Sequence, residues 1–124
     1  MPARNPEEID RLFSDALNAG NLDALVALYE PQAALSPEPG KAVVGTRAIR
    51  EALSGFLAMK PKMAMTTRIL AQGGDIALLT SKWDLSGTAA DGAPVKMSGQ
   101  SAEVCRRQKD GSWLFAIDNP WGLT

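Results

Sequence analysis

The stretch SAEVCRRQKDGSWLFAIDN, residues 101–119, holds two short alternating runs on either side of Asp110-Gly111. Alternation on both flanks of an Asp-Gly pair is the pattern of an antiparallel hairpin. If the turn has two residues, Lys109 pairs with Ser112, and counting outward sets Arg107 opposite Leu114, Cys105 opposite Ala116 and Glu103 opposite Asp118. Opposed residues share a face. Ser101, Glu103, Cys105, Ala116 and Asp118 are therefore expected on one side, with Ala102, Val104, Phe115 and Ile117 on the other. Facing carboxylates with Cβ atoms about 5 Å apart destabilise a sheet, so two acids in register need an explanation. Two readings are open. One is a solvated face on which neighbouring cations offset the charge; the other is a pocket, where burial and a nearby like charge raise one pKa and leave a proton available. A three-residue loop, or a bulge, would each flip the register and separate the acids.

The rest of the second half has the same character. Met63–Ala71, Asp75–Leu85, Val95–Lys109 and Trp113–Asn119 read as strands punctuated by QGGD, GTAADGAP and KDGS, turn chemistry suited to hairpins. The first half reads as helices. Ile9, Leu12, Phe13, Ala16 and Leu17 recur at helical spacing, with Asn5 as N-cap, Pro6 at the first helical position, Glu8 in the first turn and Gly20 as the stop. Asn21 caps a second helix in which Leu22, Leu25, Val26 and Tyr29 share a face until Pro31 ends it. ALSPEPGKAV is a loop with a short strand on either side, and Thr46 opens a third helix with Ile49, Ala52, Leu53, Phe56 and Leu57 on one face. Helices first and a meandering sheet after predict an α+β fold: a strongly curved, mostly antiparallel sheet wrapped around three N-terminal helices.

Composition narrows the partners. The 124 residues suit one domain, 1–124, with one sizeable core. With 13 basic and 14 acidic residues and no basic run, nothing recommends a nucleic acid. The chain has no histidine and one cysteine, Cys105, which argues against a metal site, an internal disulfide or a cofactor held by such ligands. MPARNPEEID has no apolar targeting core, and no stretch is long enough to span a membrane. The expectation is a cytoplasmic protein.

ALNAGNLDALVALYEPQAALSPEPG, followed by VVGTRAIREAL and ending in RRQKDGSWLFAIDNPWG, resembles the nuclear-transport-factor-2-like superfamily, and within it the SnoaL-like and ketosteroid-isomerase-like branches. The resemblance runs over nearly the whole chain. It implies a cone of bent sheet closed over three helices, an apolar cavity between them, and a homodimer through the sheet. Carried over residue by residue, the isomerase chemistry mostly fails. The family's general-base aspartate corresponds to Ser36 before Pro37, and its hydrogen-bonding tyrosine on the first helix to Phe13. A serine with no histidine to activate it is not a competent base. Only the acid on the penultimate strand persists in kind, as Glu103, where the family keeps a carboxyl neutral so that it can donate a hydrogen bond. Steroid isomerisation by that mechanism is not expected. Epoxide hydrolysis in the manner of some relatives lacks its arginine, since Ser101 stands two before Glu103, and also lacks its tyrosine-asparagine pair.

The resemblance also sets Ala116 and Asp118 on the cavity side of the last strand, which favours the pocket reading. Asp118 and Glu103 are then the candidate catalytic pair, and Phe13, Tyr29, Ser36, Phe56, Trp83, Ser101, Ala116 and Trp121 the candidate lining. Cys105 shares their face as a small apolar residue with no basic neighbour to make it a nucleophile. The implied function is binding of a small apolar or cyclic molecule, with isomerase-, cyclase- or hydrolase-type acid-base chemistry. The alternative is a non-catalytic dimeric module for ligand carriage or protein association.

Overall fold

The computed structural model describes residues 2–122. Three helices, α1 (Glu8–Ala19), α2 (Leu22–Val26) and α3 (Thr46–Leu57), precede most of the sheet. The strands are β1 (Tyr29–Leu35), β2 (Val43–Val44), β3 (Lys62–Gly73), β4 (Ile76–Thr88), β5 (Pro94–Gln100), β6 (Ala102–Arg107) and β7 (Trp113–Asn119). They form one curved, unclosed sheet in the order β2-β1-β7-β6-β4-β3, with β5 also paired to β4. Every pairing is antiparallel except that of β1 with β7. The fold is the expected α+β arrangement of N-terminal helices with a bent sheet. Helix α1 lies against β3, and α3 against β1.

Most helix signals act as local chemistry requires, but α1 opens two residues later than Asn5 and Pro6 suggest, with Glu7 at its N-cap and Asn5 closing the turn before it. Asn5 Oδ1 accepts from the Glu8 N–H at 3.2 Å, and α1 ends where Gly20 turns left-handed and bonds back to Leu17. Asn21 Oδ1 caps α2 by accepting from the Ala24 N–H at 3.1 Å. The apolar stripes of α1 and α3 bury Ile9, Ala16, Leu17, Ile49 and Leu53 against the inner face of the sheet. Phe115 joins them there, edge-on to Phe13 and tilted against Tyr29.

Three expectations need correction. First, α2 stops at Val26 and Tyr29 opens β1, with Pro31 inside that strand. The apolar spacing continues past Val26, but the Phe115 N–H bonds the Leu28 carbonyl at 2.8 Å, and pairing with β7 overrides local helical preference. Second, the run Val95–Lys109 is two strands. Ser101 interrupts it, bonding both its N–H and its Oγ to the backbone of Ser81, so β5 and β6 lie along successive stretches of β4.

Third, the last turn is not a two-residue turn. Gln108 pairs with Ser112 around Lys109, Asp110 and Gly111, and Gly111 holds φ 84°, the left-handed position of a three-residue hairpin loop. Near the loop, Arg107 therefore faces Trp113, and Cys105 faces Phe115 rather than Ala116. A bulge at Ala116 then shifts the register back, so that Val104 faces Ile117 and Glu103 faces Asp118. Loop and bulge cancel. The acids are opposed as the sequence suggested, but Phe115 points inward with them, and Ala116 is the inserted residue.

Candidate functional site

Glu103 on β6 and Asp118 on β7 face each other on the inner side of the sheet, 2 % and 3 % exposed. A third acid meets them from the helical layer: Asp10 on α1, 1 % exposed. The hydroxyl of Tyr29 donates to Asp118 Oδ2 at 2.5 Å, and that of Thr67 donates to Asp10 Oδ2 at 2.7 Å. Among the described residues, Asp10 Oδ1 and Glu103 Oε1 are buried with no donor. Buried carboxyl oxygens without partners are costly. The two carboxyls act on each other's titration, and a proton held between them would relieve both unpaired oxygens.

The electrostatics agree. No lysine or arginine lines the cavity that these acids border, and the ion pairs given by the described residues, such as Arg106 with Glu30 at 3.0 Å, lie outside it. Burial pushes the Glu103 carboxyl well above its ordinary range, and the charges of Asp10 and Asp118 push it further. Burial also raises Asp118, to about 7, against the opposing effect of the Tyr29 bond. Asp10 is raised by burial as well, while its bonds to Glu103 and Thr67 hold it down. Glu103 is thus the protonated member, and Asp118 the one that titrates near neutrality. The Cys105 thiol, raised chiefly by burial, stays protonated.

Beside the acids lies a small cavity of about 50 Å³. Helix α1 gives it Phe13 and Leu17, and α3 gives Leu53 and Phe56. The sheet adds Met63, Met65, Trp83 and Met97, and the turn after β7 adds Trp121. Its polar side chains are Ser101, Glu103 and Asp118.

Of the ten site residues expected from sequence, seven border this cavity: Phe13, Phe56, Trp83, Ser101, Glu103, Asp118 and Trp121. Tyr29 stands behind Asp118 as its hydrogen-bond donor. Ser36 bonds through its Oγ to the Glu38 carbonyl, and Ala116 is half-buried at the bulge; neither is part of the lining. Asp10 went unread in the sequence although its signal was there: it stands at i with Phe13 and Leu17 at i+3 and i+7, an acid within an apolar stripe. No three of the described histidine, cysteine or acidic residues are placed to hold a metal ion. No helix among the described residues is long and apolar enough to cross a membrane.

The bent sheet over N-terminal helices is the fold of solved nuclear-transport-factor-2-like proteins. The model of the SnoaL-like domain matches residues 9–115, and the chain belongs to that family. No curated protein matches its sequence. Among solved structures it resembles a ketosteroid isomerase-like protein from Erwinia carotovora atroseptica, with TM-score 0.79, 23% identity, and 90% of this chain and 88% of that one covered. A candidate scytalone dehydratase from Novosphingobium aromaticivorans gives TM-score 0.79 at 18% identity over 90% and 77% of the two chains. A candidate calcium/calmodulin dependent protein kinase II association domain from Xanthomonas campestris gives 0.76 at 22% identity over 94% and 84%. At such identities the likeness is one of fold.

Proposed function

We propose that the cavity binds a small apolar or cyclic molecule and that Asp118 and Glu103 perform acid-base chemistry on it, of isomerase, cyclase or hydrolase type. One observation carries this reading: two buried carboxyls, both raised but Glu103 well above its ordinary range and Asp118 only to about 7, border the same apolar cavity, with a third, Asp10, beside them. Asp118, titrating near 7, takes a proton from the substrate and returns it. Glu103, kept protonated, donates a hydrogen bond to the oxygen on which charge develops. Asp10 is a positioning residue that shares the Glu103 proton when the site is empty. The SnoaL-like fold and the neighbours named for isomerase and dehydratase activity support small-molecule binding.

Carboxyl-carbon NMR titration tests the site without a substrate. Asp118 should titrate near 7, and Asp10→Asn should lower that midpoint by removing a neighbouring charge. If Asp118 and Glu103 titrate independently near the ordinary value of about 4, the acids are solvated and the catalytic reading fails.

The outer face of the sheet favours a dimer. Register places Leu78, Val104, Ile117, Ala34 and Val44 side by side across five strands, with Ile117 49% and Val44 61% exposed. Such a row fits a second copy of the chain. It also supports the second reading, a dimeric module without catalysis, to which the association-domain neighbour adds weight. A cytoplasmic setting belongs to the same proposal, supported by the buried free thiol of Cys105, as does the reading of residues 1–124 as one domain.

A further inference from the structure

The side of the sheet turned away from the cavity carries charge of the opposite sign. Thr66 pairs with Lys82 and Lys82 with Gln100, so these three form a row across β3, β4 and β5. Arg68 pairs with Thr80 in the next row. Alternation puts their neighbours Met65 and Trp83 on the cavity side and leaves Thr66, Arg68, Lys82 and Gln100 exposed outside. Arg68 and Lys82 are diagonal neighbours on one face, close enough for their long side chains to meet. Like charges so placed weaken the pairing, and the ion pairs given by the described residues include neither. By contrast, Arg11, Arg50, Arg106 and Arg107 each have a carboxylate partner.

The two cations stand at a depression of about 280 Å³. Thr66, Thr67, Thr80 and Gln100 complete its lining, and no carboxylate enters it. Thr80 anchors one wall. It is 6 % exposed, donates its hydroxyl to the Ser101 carbonyl at 2.7 Å and accepts from Gln100 Nε2 at 3.3 Å, which holds the amide at the rim. The acid that follows on this face, Asp84, lies two residues from Lys82 along β4, about 7 Å away, in the row of Ala64 and Ser98. It lines a neighbouring depression with Lys62 and Lys96, where it offsets part of their charge. The depression between Arg68 and Lys82 has no such counter-charge.

Two cations, hydroxyls and an amide converging from three strands describe a site for an oxyanion. A carboxylate neutralises one cation and leaves the other. A phosphate monoester carries about −1.5 to −2 charges near neutral pH and presents three terminal oxygens. Two suit the planar fork of an arginine and the third the point charge of a lysine, with Thr66 and Gln100 at the rim. The room is near the lower end of the roughly 300–1,000 Å³ of ligand sites, enough for the phosphate with a small body attached.

We infer that the outer depression between Arg68 and Lys82 binds the phosphate group of a small phosphorylated molecule. It lies across the sheet from the cavity and stands or falls without the proposed function. Methyl phosphate, inorganic phosphate, acetate and a phosphoserine peptide are titrated at constant ionic strength, while NMR follows the Arg68 Nε–H, the Gln100 side-chain amide and, on the opposite face, the Trp83 indole. Methyl phosphate should shift Arg68 and Gln100 saturably and leave Trp83 in place. It should bind at least tenfold tighter than acetate and at least as tightly as inorganic phosphate. Lys82→Gln and Arg68→Gln change exposed side chains and should keep a native spectrum, yet each should weaken methyl phosphate at least tenfold. Lys62→Gln, in the neighbouring depression, should change it less than twofold. Shifts that rise without saturation, acetate equal to methyl phosphate, or a loss in Lys62→Gln as large as in Lys82→Gln would show diffuse charge only and overturn the inference. Inorganic phosphate bound with methyl phosphate excluded would mark a free-ion site and overturn it too. A phosphoserine peptide at least tenfold tighter than methyl phosphate would make the face a docking surface for a protein, with the same result.

Discussion

The inner and outer faces of β6 and β7 differ from each other in the direction opposite to what burial favours. Inside, Glu103 and Asp118 are sealed from water with Asp10 against them; outside, Val104 and Ile117 sit directly behind them, and Ile117 is half exposed. A buried carboxyl without a cation costs stability, and an exposed isoleucine forgoes it. Neither face helps an isolated chain to fold. On the proposed reading, proton chemistry within and a partner copy without would each account for one face, so the two can be tested separately.

The largest effect belongs inside. On any substrate that the protein turns over, Asp118→Asn should lower turnover by about 10²–10⁴-fold, the usual contribution of a positioned acid or base. Its amide oxygen can still accept from Tyr29, so thermal unfolding should occur at the same temperature or higher. Loss of turnover with loss of fold would mean that Asp118 is structural, and the contrast between faces would lose its functional meaning.

Next comes the pH dependence of stability, which the inner face should dominate. Asp118 titrates at about 7 when folded, from an ordinary value of 3.8, so between about pH 4 and 7 the folded state holds a proton that the unfolded chain has released. Stability therefore falls as pH rises through that window, by about 1.4 kcal/mol per pH unit from Asp118 alone; Glu103, raised further, steepens the fall within the window and extends it to higher pH. Urea unfolding at a series of pH values checks this. A profile that rises from pH 4 to 7 would show that the acids are ionised and compensated in the native state.

The inner face was only partly legible in the sequence, for physical reasons. Helical periodicity located α1 and α3 because their stripes face one core. It failed at Tyr29 because Leu22, Leu25, Val26 and Tyr29 keep helical spacing while long-range pairing with β7 decides the backbone. The opposition of Glu103 and Asp118 was inferred from a two-residue turn that does not exist; the longer loop and the bulge at Ala116 each shift the register by one, and only their sum preserves the pair. Asp10 stood in plain view on the α1 stripe, but nothing local indicates that a helix acid will meet two strand acids more than 90 residues away.

A smaller effect isolates the Tyr29 hydrogen bond. Tyr29→Phe keeps the ring against Phe115 and removes the donor to Asp118, leaving a buried carboxyl oxygen unpaired at a cost of about 1–3 kcal/mol. Because that bond lowers the Asp118 pKa, its loss should move the titration above 7. A carboxyl-carbon titration in the variant that stayed in place would mean that water replaces the hydroxyl, and that the inner face is less sealed than its burial indicates.

The smallest effect on the folded chain is expected outside. Ile117 has room around it and packs on no core residue across the sheet, so Ile117→Lys should change unfolding free energy by no more than about 0.5 kcal/mol, as at other surface positions. Its effect should appear instead in association. In a dimer joined through this row, the two-fold axis brings the row against itself, and a lysine at its centre would be buried against apolar side chains without a partner charge. Sedimentation should then show the wild type as a dimer and the variant as a monomer, while the carboxyl titration of the inner face is unchanged. A wild type that sediments as a monomer at high concentration would leave the exposed row unexplained and separate the two faces; a variant in which association and the Asp118 titration change together would show that they are coupled through β7.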